Sequence, residues 1–314
     1  DDNFTLNKKR VLEFSRMLEE SGLYMMWNCQ ARVDTIDTEM LIAMKRAGLE
    51  HIQYGIESGS ERILKIYDKA TTRDMIIRAA RATRGAGVYL SFYLMAGMTG
   101  ENMSDINDTI SLIKKTLPHD SIVSPVAYYP GTAIYNSAKK AGRIADSHWF
   151  ESAETGLYVV PLEKSGPFIN RILDANMNIS SRAAYGTSDI KKQRLITGDS
   201  CWMNDIMEGD IYLFQDENIK ASRIYRSIID KHPLNVWGYL RVAESLQTLK
   251  PSEARDALLQ ASSIAPASYE IWQRLAKISL TLKESKKAAE YSSRAFQLNP
   301  YDPQVKKLHD KLKP

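Results

Sequence analysis

The sequence has too few cysteines for a disulfide framework or for a metal site built from its own thiolates. Its 314 residues include only Cys29 and Cys201, which lie far apart. No apolar run approaches the ~18 residues of a membrane-spanning helix, and no signal-peptide pattern follows the first residue, Asp1. The charge is nearly balanced, because 42 basic and 38 acidic side chains leave a net charge of +4. So small an excess gives no clear indication of nucleic-acid binding, and we expect no membrane association.

From residue 24 to about 142, short apolar runs alternate with segments of helical period. Such alternation predicts parallel strands joined by right-handed helical crossovers. Gly48 and Gly87 stand where a predicted helix ends and the next strand begins, as helix C-caps require. We therefore expect a parallel α/β unit over residues 1–145. Its strands are predicted at 24–30, 51–56, 88–96 and 121–129, and its helices at about 38–47, 59–67, 72–85, 103–116 and 132–141.

The last third of the chain has a different period. Pro233, Pro266 and Pro300 are separated by 33 and 34 residues. A small or apolar residue stands 12 and again 5 positions before each proline; these markers are Ala221, Ala254, Ala288, Ile228, Ala261 and Ala295. The pattern resembles the tetratricopeptide repeat and predicts an all-α domain over 201–314 with a final cap helix. Residues 146–200 form a connecting segment with no clear pattern beyond a strand near 157–162 and a helix near 167–177.

Polar residues and glycines follow nearly every predicted strand, where parallel α/β folds carry their chemistry. In chain order these groups are Asp1-Asp2-Asn3, Arg32-Val33-Asp34, Gly55-Ile56-Glu57-Ser58-Gly59-Ser60, Gly97-Met98-Thr99-Gly100-Glu101 and Tyr128-Tyr129-Pro130-Gly131-Thr132. With Lys69 and Ile134-Tyr135, their order and spacing resemble the C-terminal part of a radical SAM core of the Elongator/methylthiotransferase-like type. The similarity is greatest to cobalamin-associated members related to the anaerobic magnesium-protoporphyrin ester cyclase.

The resemblance implies that residues 1–145 form a partial α/β barrel of the TIM type and that the protein is a radical SAM enzyme. Such an enzyme uses a [4Fe–4S] cluster to cleave S-adenosylmethionine (SAM) into methionine and a 5′-deoxyadenosyl radical, which abstracts a substrate hydrogen. The subfamily also implies cobalamin, with methylation or cyclisation as the outcome. The SAM-binding residues that the resemblance implies are Asp2, Asn3, Arg32, Glu57, Ser58, Ser60, Gly97, Gly100, Glu101, Tyr129 and Pro130.

The CxxxCxxC loop that holds the cluster in such enzymes is absent from the sequence. Three thiolates are needed to leave one iron open for SAM. Two distant cysteines do not replace them, so we assign no metal ligand and no catalytic residue within this chain. We interpret the chain as part of a longer polypeptide whose cluster ligands lie upstream of Asp1. We expect this piece to be inactive by itself.

Each candidate residue also has a structural interpretation. Ser58 or Ser60 would cap the helix that begins near Glu61. Glu101 would lie favourably in the first turn of a helix. Arg32 would pair with Asp34 or Asp37, and the sequence Tyr129-Pro130-Gly131 would form a turn.

The repeats support an alternative function, a non-catalytic scaffold that binds protein partners beside a cluster-free barrel. In an enzyme, they would dock a protein or peptide, and the substrate would be a small molecule or a peptidyl group. A transfer-RNA methylthiotransferase is disfavoured by the modest charge. Unpaired cysteines and an oxygen-sensitive cluster suit a reducing compartment, so we expect the protein in the cytoplasm.

Overall fold

The computed structural model describes residues 3–147, 158–159 and 162–313. The predicted site residue Asp2 therefore lies outside the described residues. The chain divides into two compact units. The first comprises Asp1–Leu12, Trp27–Ile42 and Leu49–Ala184, and the second comprises Glu13–Met26, Ala43–Gly48 and Tyr185–Pro314. The domain bounds proposed at 145 and 200 stay a prediction. Among the described helices, none is both long enough and apolar enough to cross a membrane.

The first unit contains a four-stranded parallel sheet. Its strands β1 (Trp27–Ala31), β2 (Leu49–Glu57), β3 (Tyr89–Ala96) and β4 (Asp120–Pro125) pair in chain order, as in a barrel wall. Two short strands, β5 (Ala127–Tyr128) and β6 (Tyr158–Val159), form a separate antiparallel pair. The predicted parallel α/β architecture is confirmed, and each predicted strand overlaps an observed one.

Helices lie before and after the strands of this sheet. They are α1 (Lys8–Ser21), α2 (Thr38–Arg46), α3 (Glu61–Ile66), α4 (Arg73–Gly85), α5 (Met103–Thr116), α6 (Ala133–Lys140) and α7 (Leu162–Ala183), with a short 3₁₀ turn at Phe4–Leu6. The helix predicted near 167–177 is the middle of α7. Helix α7 packs on β4, where Ser121 Oγ donates to Asn176 Oδ1 at 2.9 Å.

The two faces of the sheet differ in chemistry. Ala31, Tyr54 and Phe92 are register partners on one face, which is buried under helices; the Tyr54 hydroxyl reaches Thr83 of α4 at 2.9 Å. The neighbouring set of register partners has its side chains on the opposite face; it comprises Gln30, Gln53, Ser91 and Asp120. Barrel interiors that serve only as cores are filled with branched apolar side chains. The amides, hydroxyl and carboxylate of this second face instead suit contact with a polar ligand.

The second unit is a stack of helical pairs. After α8 (Thr187–Thr197) come α9 (Trp202–Phe214), α10 (Asn218–Lys231), α11 (Val236–Leu246), α12 (Pro251–Ile264), α13 (Tyr269–Thr281), α14 (Ser285–Leu298) and the cap helix α15 (Pro303–Leu312). The alanine markers Ala221, Ala254 and Ala288 are fully buried. Small side chains at these positions let the paired helices approach closely, so the predicted tetratricopeptide-like fold is confirmed.

The segment of residues 22–26, between α1 and β1, forms part of the second unit. Trp237 Nε1 donates to the backbone oxygen of Tyr24 at 3.0 Å. The Tyr24 ring meets Trp202 edge-on at 5.9 Å, and its hydroxyl lies 3.2 Å from His232 Nδ1. The first helices of the repeats thus contact this connecting segment through an indole donor and an aromatic pair.

Candidate functional site

The candidate residues converge because the sheet is parallel. Strands β1 to β4 all end at the same side, and their loops meet there. We call this region, formed by residues 32–37, 57–60, 97–102 and 127–132, the carboxyl edge. It contains every candidate residue of the sequence analysis except Asp2, which is not described, and Asn3.

Glu57 ends β2 in a strained conformation. Its φ is 65°, which non-glycine residues rarely adopt, and the pairing of β2 with β3 is interrupted by a bulge between Gly55 and Glu57. The Glu57 side chain is 15% exposed, and Oε1 accepts a hydrogen bond from Lys69 Nζ at 2.8 Å. Bulges and left-handed residues at strand ends re-aim side chains and are concentrated at functional sites.

Lys69 reaches Glu57 because helix α3 ends in a Schellman motif. Asp68 adopts φ 51°, the Lys69 amide donates to Leu64 O at 2.9 Å, and the Asp68 amide donates to Lys65 O at 3.1 Å. This turn directs the chain back toward the end of β2. Sequence reasoning noted Lys69 but gave it no role, because the left-handed residue is an aspartate rather than the usual glycine.

The side chains of Ser58 and Ser60 are buried. Each is 1% exposed. Ser60 Oγ accepts from the Ile63 amide at 3.4 Å and donates to Asp105 Oδ1 at 2.7 Å, so Ser60 is the N-cap of α3. Ser58 Oγ accepts from the Ser60 amide at 3.1 Å. The structure thus shows the capping arrangement for Ser60, and a ligand role for either serine stays a prediction.

Asp105 accepts hydrogen bonds that connect the loop of residues 57–60 to the loop of residues 97–102. This residue was not identified from the sequence. It accepts from Ser60 Oγ, from the Asn102 amide at 3.0 Å and from the Arg62 guanidinium, which also donates to Gly100 O at 2.8 Å. Burial alone would raise the pKa of Asp105, but the hydrogen bonds from Arg62, Ser60 and the Asn102 amide outweigh it and hold the pKa below its ordinary value. The pattern that could have indicated Asp105 is the capping box, in which an acidic residue stands three positions after the N-cap Asn102.

We expect Asp105→Asn to destabilise the protein by about 2 kcal/mol at neutral pH, because the amide cannot accept from all three donors. Since the folded pKa of Asp105 is lowered, its stabilising contribution is complete above the ordinary value of 3.8 and is lost as pH falls below it. Urea titrations should therefore show a difference between wild type and variant that shrinks from pH 6 to pH 3. A difference independent of pH would contradict the assignment.

The loop of residues 97–101, which we call the glycine-rich loop, is held together by hydrogen bonds to the carboxylate of Glu101. Glu101 Oε2 accepts from the backbone amides of Gly97 at 2.6 Å and Met98 at 3.2 Å. Gly97 and Gly100 adopt φ 94° and 80°, which suit glycine. Burial raises the pKa of Glu101, partly offset by those two amide hydrogen bonds. Glu101 precedes the N-cap Asn102 and is outside the first turn of α5, so its alternative interpretation as a first-turn residue is wrong.

Arg32 makes a bidentate contact with Asp34. Nε and Nη2 donate to the two carboxylate oxygens at 2.9 and 2.7 Å, and this hydrogen bonding holds the pKa of Asp34 below its ordinary value. The contact is the pairing named as the alternative interpretation of Arg32. Both side chains are partly exposed, so Arg32 can exchange this carboxylate for that of a ligand.

Asn3 is exposed and adopts φ 61° before the 3₁₀ turn. Thr5 of that turn shares a hydrogen bond of 2.6 Å with Thr35, so this segment reaches the loop after β1.

Tyr128, at the end of β5, is buried, whereas Tyr129 is 55% exposed and Pro130 is exposed. A cleft of about 300 Å³ lies beside this loop, lined by Ile66, Met98, Thr99, Ile134, Ala138 and Arg143, among others. Its lining can accommodate a flat, largely apolar group.

The described residues do not provide a metal site. No group of three histidine, cysteine or carboxylate side chains among them could hold an ion. Cys29 and Cys201 are free and buried; burial raises the pKa of the Cys29 thiol to about 12 and also raises that of Cys201. Two buried thiols are also fewer than the three thiolates that a cluster with one open iron requires. A [4Fe–4S] cluster does not fit the described part of this chain.

The first unit is thus a parallel α/β fold whose polar loops meet at the carboxyl edge. Residues 1–113 match the Radical SAM superfamily. This part of the chain is therefore similar to a radical SAM core, as the sequence resemblance implied, and tetratricopeptide-like helices follow it.

Two curated relatives each match about half of the chain's length. An uncharacterized methyltransferase of Pyrococcus horikoshii is 30% identical over 149 residues, which are 48% of this chain and 32% of that protein. The anaerobic magnesium-protoporphyrin IX monomethyl ester cyclase of Cereibacter sphaeroides is 24% identical over 183 residues, 57% of this chain and 29% of that protein. The chain thus spans about a third of the length of these relatives.

Among solved structures, the cobalamin-dependent SAM radical enzyme OxsB aligns with a TM-score of 0.33 and 13% identity over 97% of this chain and 48% of that one. The tetratricopeptide protein YrrB aligns with a TM-score of 0.34 and 12% identity over 57% of this chain and 98% of that one. No inference is drawn from alignments this weak.

Proposed function

We propose that this chain is the SAM-binding portion of a radical SAM enzyme, with the cluster ligands supplied upstream of Asp1. The observation that carries the proposal is the Glu57 carboxylate, held by Lys69 on a strained bulge at the carboxyl edge of a radical SAM core. Carboxylate oxygens accept well from ribose hydroxyls and from an ammonium group. A cluster bound upstream would supply the electron that cleaves SAM into methionine and a 5′-deoxyadenosyl radical.

Other residues of the carboxyl edge, together with Asp2 and Asn3, provide the remaining SAM contacts. Arg32 pairs with the SAM carboxylate in place of Asp34, since a guanidinium binds a carboxylate in a bidentate manner. The loop with Gly97, Gly100 and Glu101 approaches the ligand through its backbone. Tyr129 and Pro130 flank the adenine, and Asn3, with Asp2, contacts the amino-acid end. Ser58 and Ser60 keep the Glu57 loop in place.

The substrate is a small molecule or a peptidyl group that lies on the polar face of the sheet. The amides of Gln30 and Gln53 and the carboxylate of Asp120 offer donors and acceptors there. The proposal includes cobalamin in a further domain, with methylation or cyclisation as the outcome, and a cytoplasmic location. The tetratricopeptide-like helices bind a protein or peptide partner, since stacked helical pairs present an extended surface.

The experiment is to produce the protein with its natural coding sequence upstream of Asp1 and to reconstitute it anaerobically with iron and sulfide. We call this preparation the reconstituted protein. We expect an electron paramagnetic resonance signal of a reduced [4Fe–4S] cluster that changes on addition of SAM, and formation of 5′-deoxyadenosine under reducing conditions. An upstream region without CxxxCxxC, or a cluster signal that SAM leaves unchanged, contradicts the proposal. The scaffold function of the repeats would then be the better conclusion.

A further inference from the structure

Tyr67 places a buried hydroxyl at the carboxyl edge. The residue is the C-cap of α3, directly before the left-handed Asp68. Its ring packs against an apolar cluster that contains Met98 of the glycine-rich loop and Tyr128, which directly precedes Tyr129 and Pro130. Its hydroxyl oxygen is buried and has no hydrogen-bond partner among the described residues. A buried hydroxyl without a partner is costly, and such groups in native proteins usually have a functional reason.

The neighbouring carboxylates do not satisfy this hydroxyl. Glu57 accepts from Lys69 Nζ at 2.8 Å, and Glu101 accepts from the Gly97 amide at 2.6 Å. Burial, followed by the charges of Glu101 and Glu57 and by Tyr128, raises the pKa of Tyr67. Tyr67 therefore stays protonated at physiological pH and keeps a buried O–H donor near Glu101 and Glu57.

We propose that the Tyr67 hydroxyl donates a hydrogen bond to a ribose hydroxyl of SAM bound at the carboxyl edge. This inference rests on the proposed function and adds a ligand-contacting residue to it. The ribose is favoured over the SAM carboxylate because Glu57 and Glu101 lie near the phenol, and a third carboxylate there would be repelled. The Schellman motif explains how one short turn provides both donors: Lys69 holds Glu57, and Tyr67 contacts the ligand.

Tyr67→Phe tests this contact in the reconstituted protein. Two probes are used in equilibrium binding: S-adenosylhomocysteine, and 5′-methylthioadenosine, which retains the ribose and adenine but lacks the amino-acid end. We expect the variant to bind both probes about fivefold more weakly, the size of one neutral hydrogen bond. We also expect its Tm without ligand to be unchanged or higher, because phenylalanine removes an unsatisfied polar group.

Tyr135→Phe is the matched control. Tyr135 belongs to the same apolar cluster, but its hydroxyl already donates to Asp146 at 2.6 Å. We expect this variant to bind both probes as wild type does and to lose stability.

Each other outcome has a definite meaning. Wild-type protein that binds neither probe contradicts the proposed function and the inference with it. Wild type that binds while Tyr67→Phe binds equally well overturns only the inference. Weaker binding of S-adenosylhomocysteine alone places the contact on the amino-acid end and overturns the ribose assignment. A lowered Tm shows that the hydroxyl has a protein partner and overturns the inference as well.

Discussion

Gly59→Ala should destabilise the protein by about 3 kcal/mol and abolish binding at the carboxyl edge. A Cβ on Gly59 would lie 2.5 Å from Thr109 Cα and 2.9 Å from Thr109 N. Both are main-chain atoms of α5, so the loop or the helix must move as a whole, and overpacking of this kind costs about 1–3 kcal/mol or more. The movement would also break the 2.8 Å hydrogen bond from the Gly59 amide to Thr109 Oγ1. Urea unfolding measures the first effect, and binding of S-adenosylhomocysteine to the reconstituted protein measures the second.

Gly85→Ala is the matched control. Gly85 ends α4, and a Cβ there would meet no atom within 4 Å. Alanine favours helix over glycine by about 0.5–1 kcal/mol, so this variant should be more stable than wild type and bind equally well. If Gly59→Ala behaves like Gly85→Ala, the close approach of the loop to α5 does not require glycine at position 59.

The sequence predicted those parts of the fold that local pattern determines. The apolar run at 88–96 gave a strand because Leu90, Phe92 and Ala96 must be buried, and the structure buries all three. The repeats were predictable because close helix packing demands a small residue at one position of every repeat, as at Ala254 and Ala288.

The network beneath the site was not predictable in the same way. Arg62 and Asp105 are 43 positions apart, and nothing in either local pattern indicates that they meet. The role of Glu101 depends on a loop conformation set by two left-handed glycines, not on its distance from a helix start. Nothing in the sequence indicates a role for Tyr67, because its unsatisfied hydroxyl is visible only once its neighbours are placed. The resemblance identified the loops, whereas the structure shows which atoms within them are already engaged.

Glu57→Ala should weaken binding of S-adenosylhomocysteine by about 30-fold or more, since a hydrogen bond to a charged group contributes about 1.5–3 kcal/mol. Stability should fall by less than about 1 kcal/mol, because Lys69 is 34% exposed and can be solvated once it loses its partner. Equilibrium binding to the reconstituted protein measures the first effect. Glu61→Gln is the control: Glu61 lies nearby and accepts from the Arg73 amide, and its replacement should leave affinity unchanged.

Lys69 distinguishes a ligand-binding Glu57 from a purely structural one. If Lys69 acts by positioning the Glu57 carboxylate, Lys69→Met should weaken binding several-fold in the wild type. It should then have no further effect in the Glu57→Ala background, because residues that act through one another are not additive. Equal effects in both backgrounds would mean that Lys69 contacts the ligand directly. No effect of either substitution on affinity would mean that the 2.8 Å pair only closes the bulge at the end of β2. That last result would remove the observation on which the proposed function depends most.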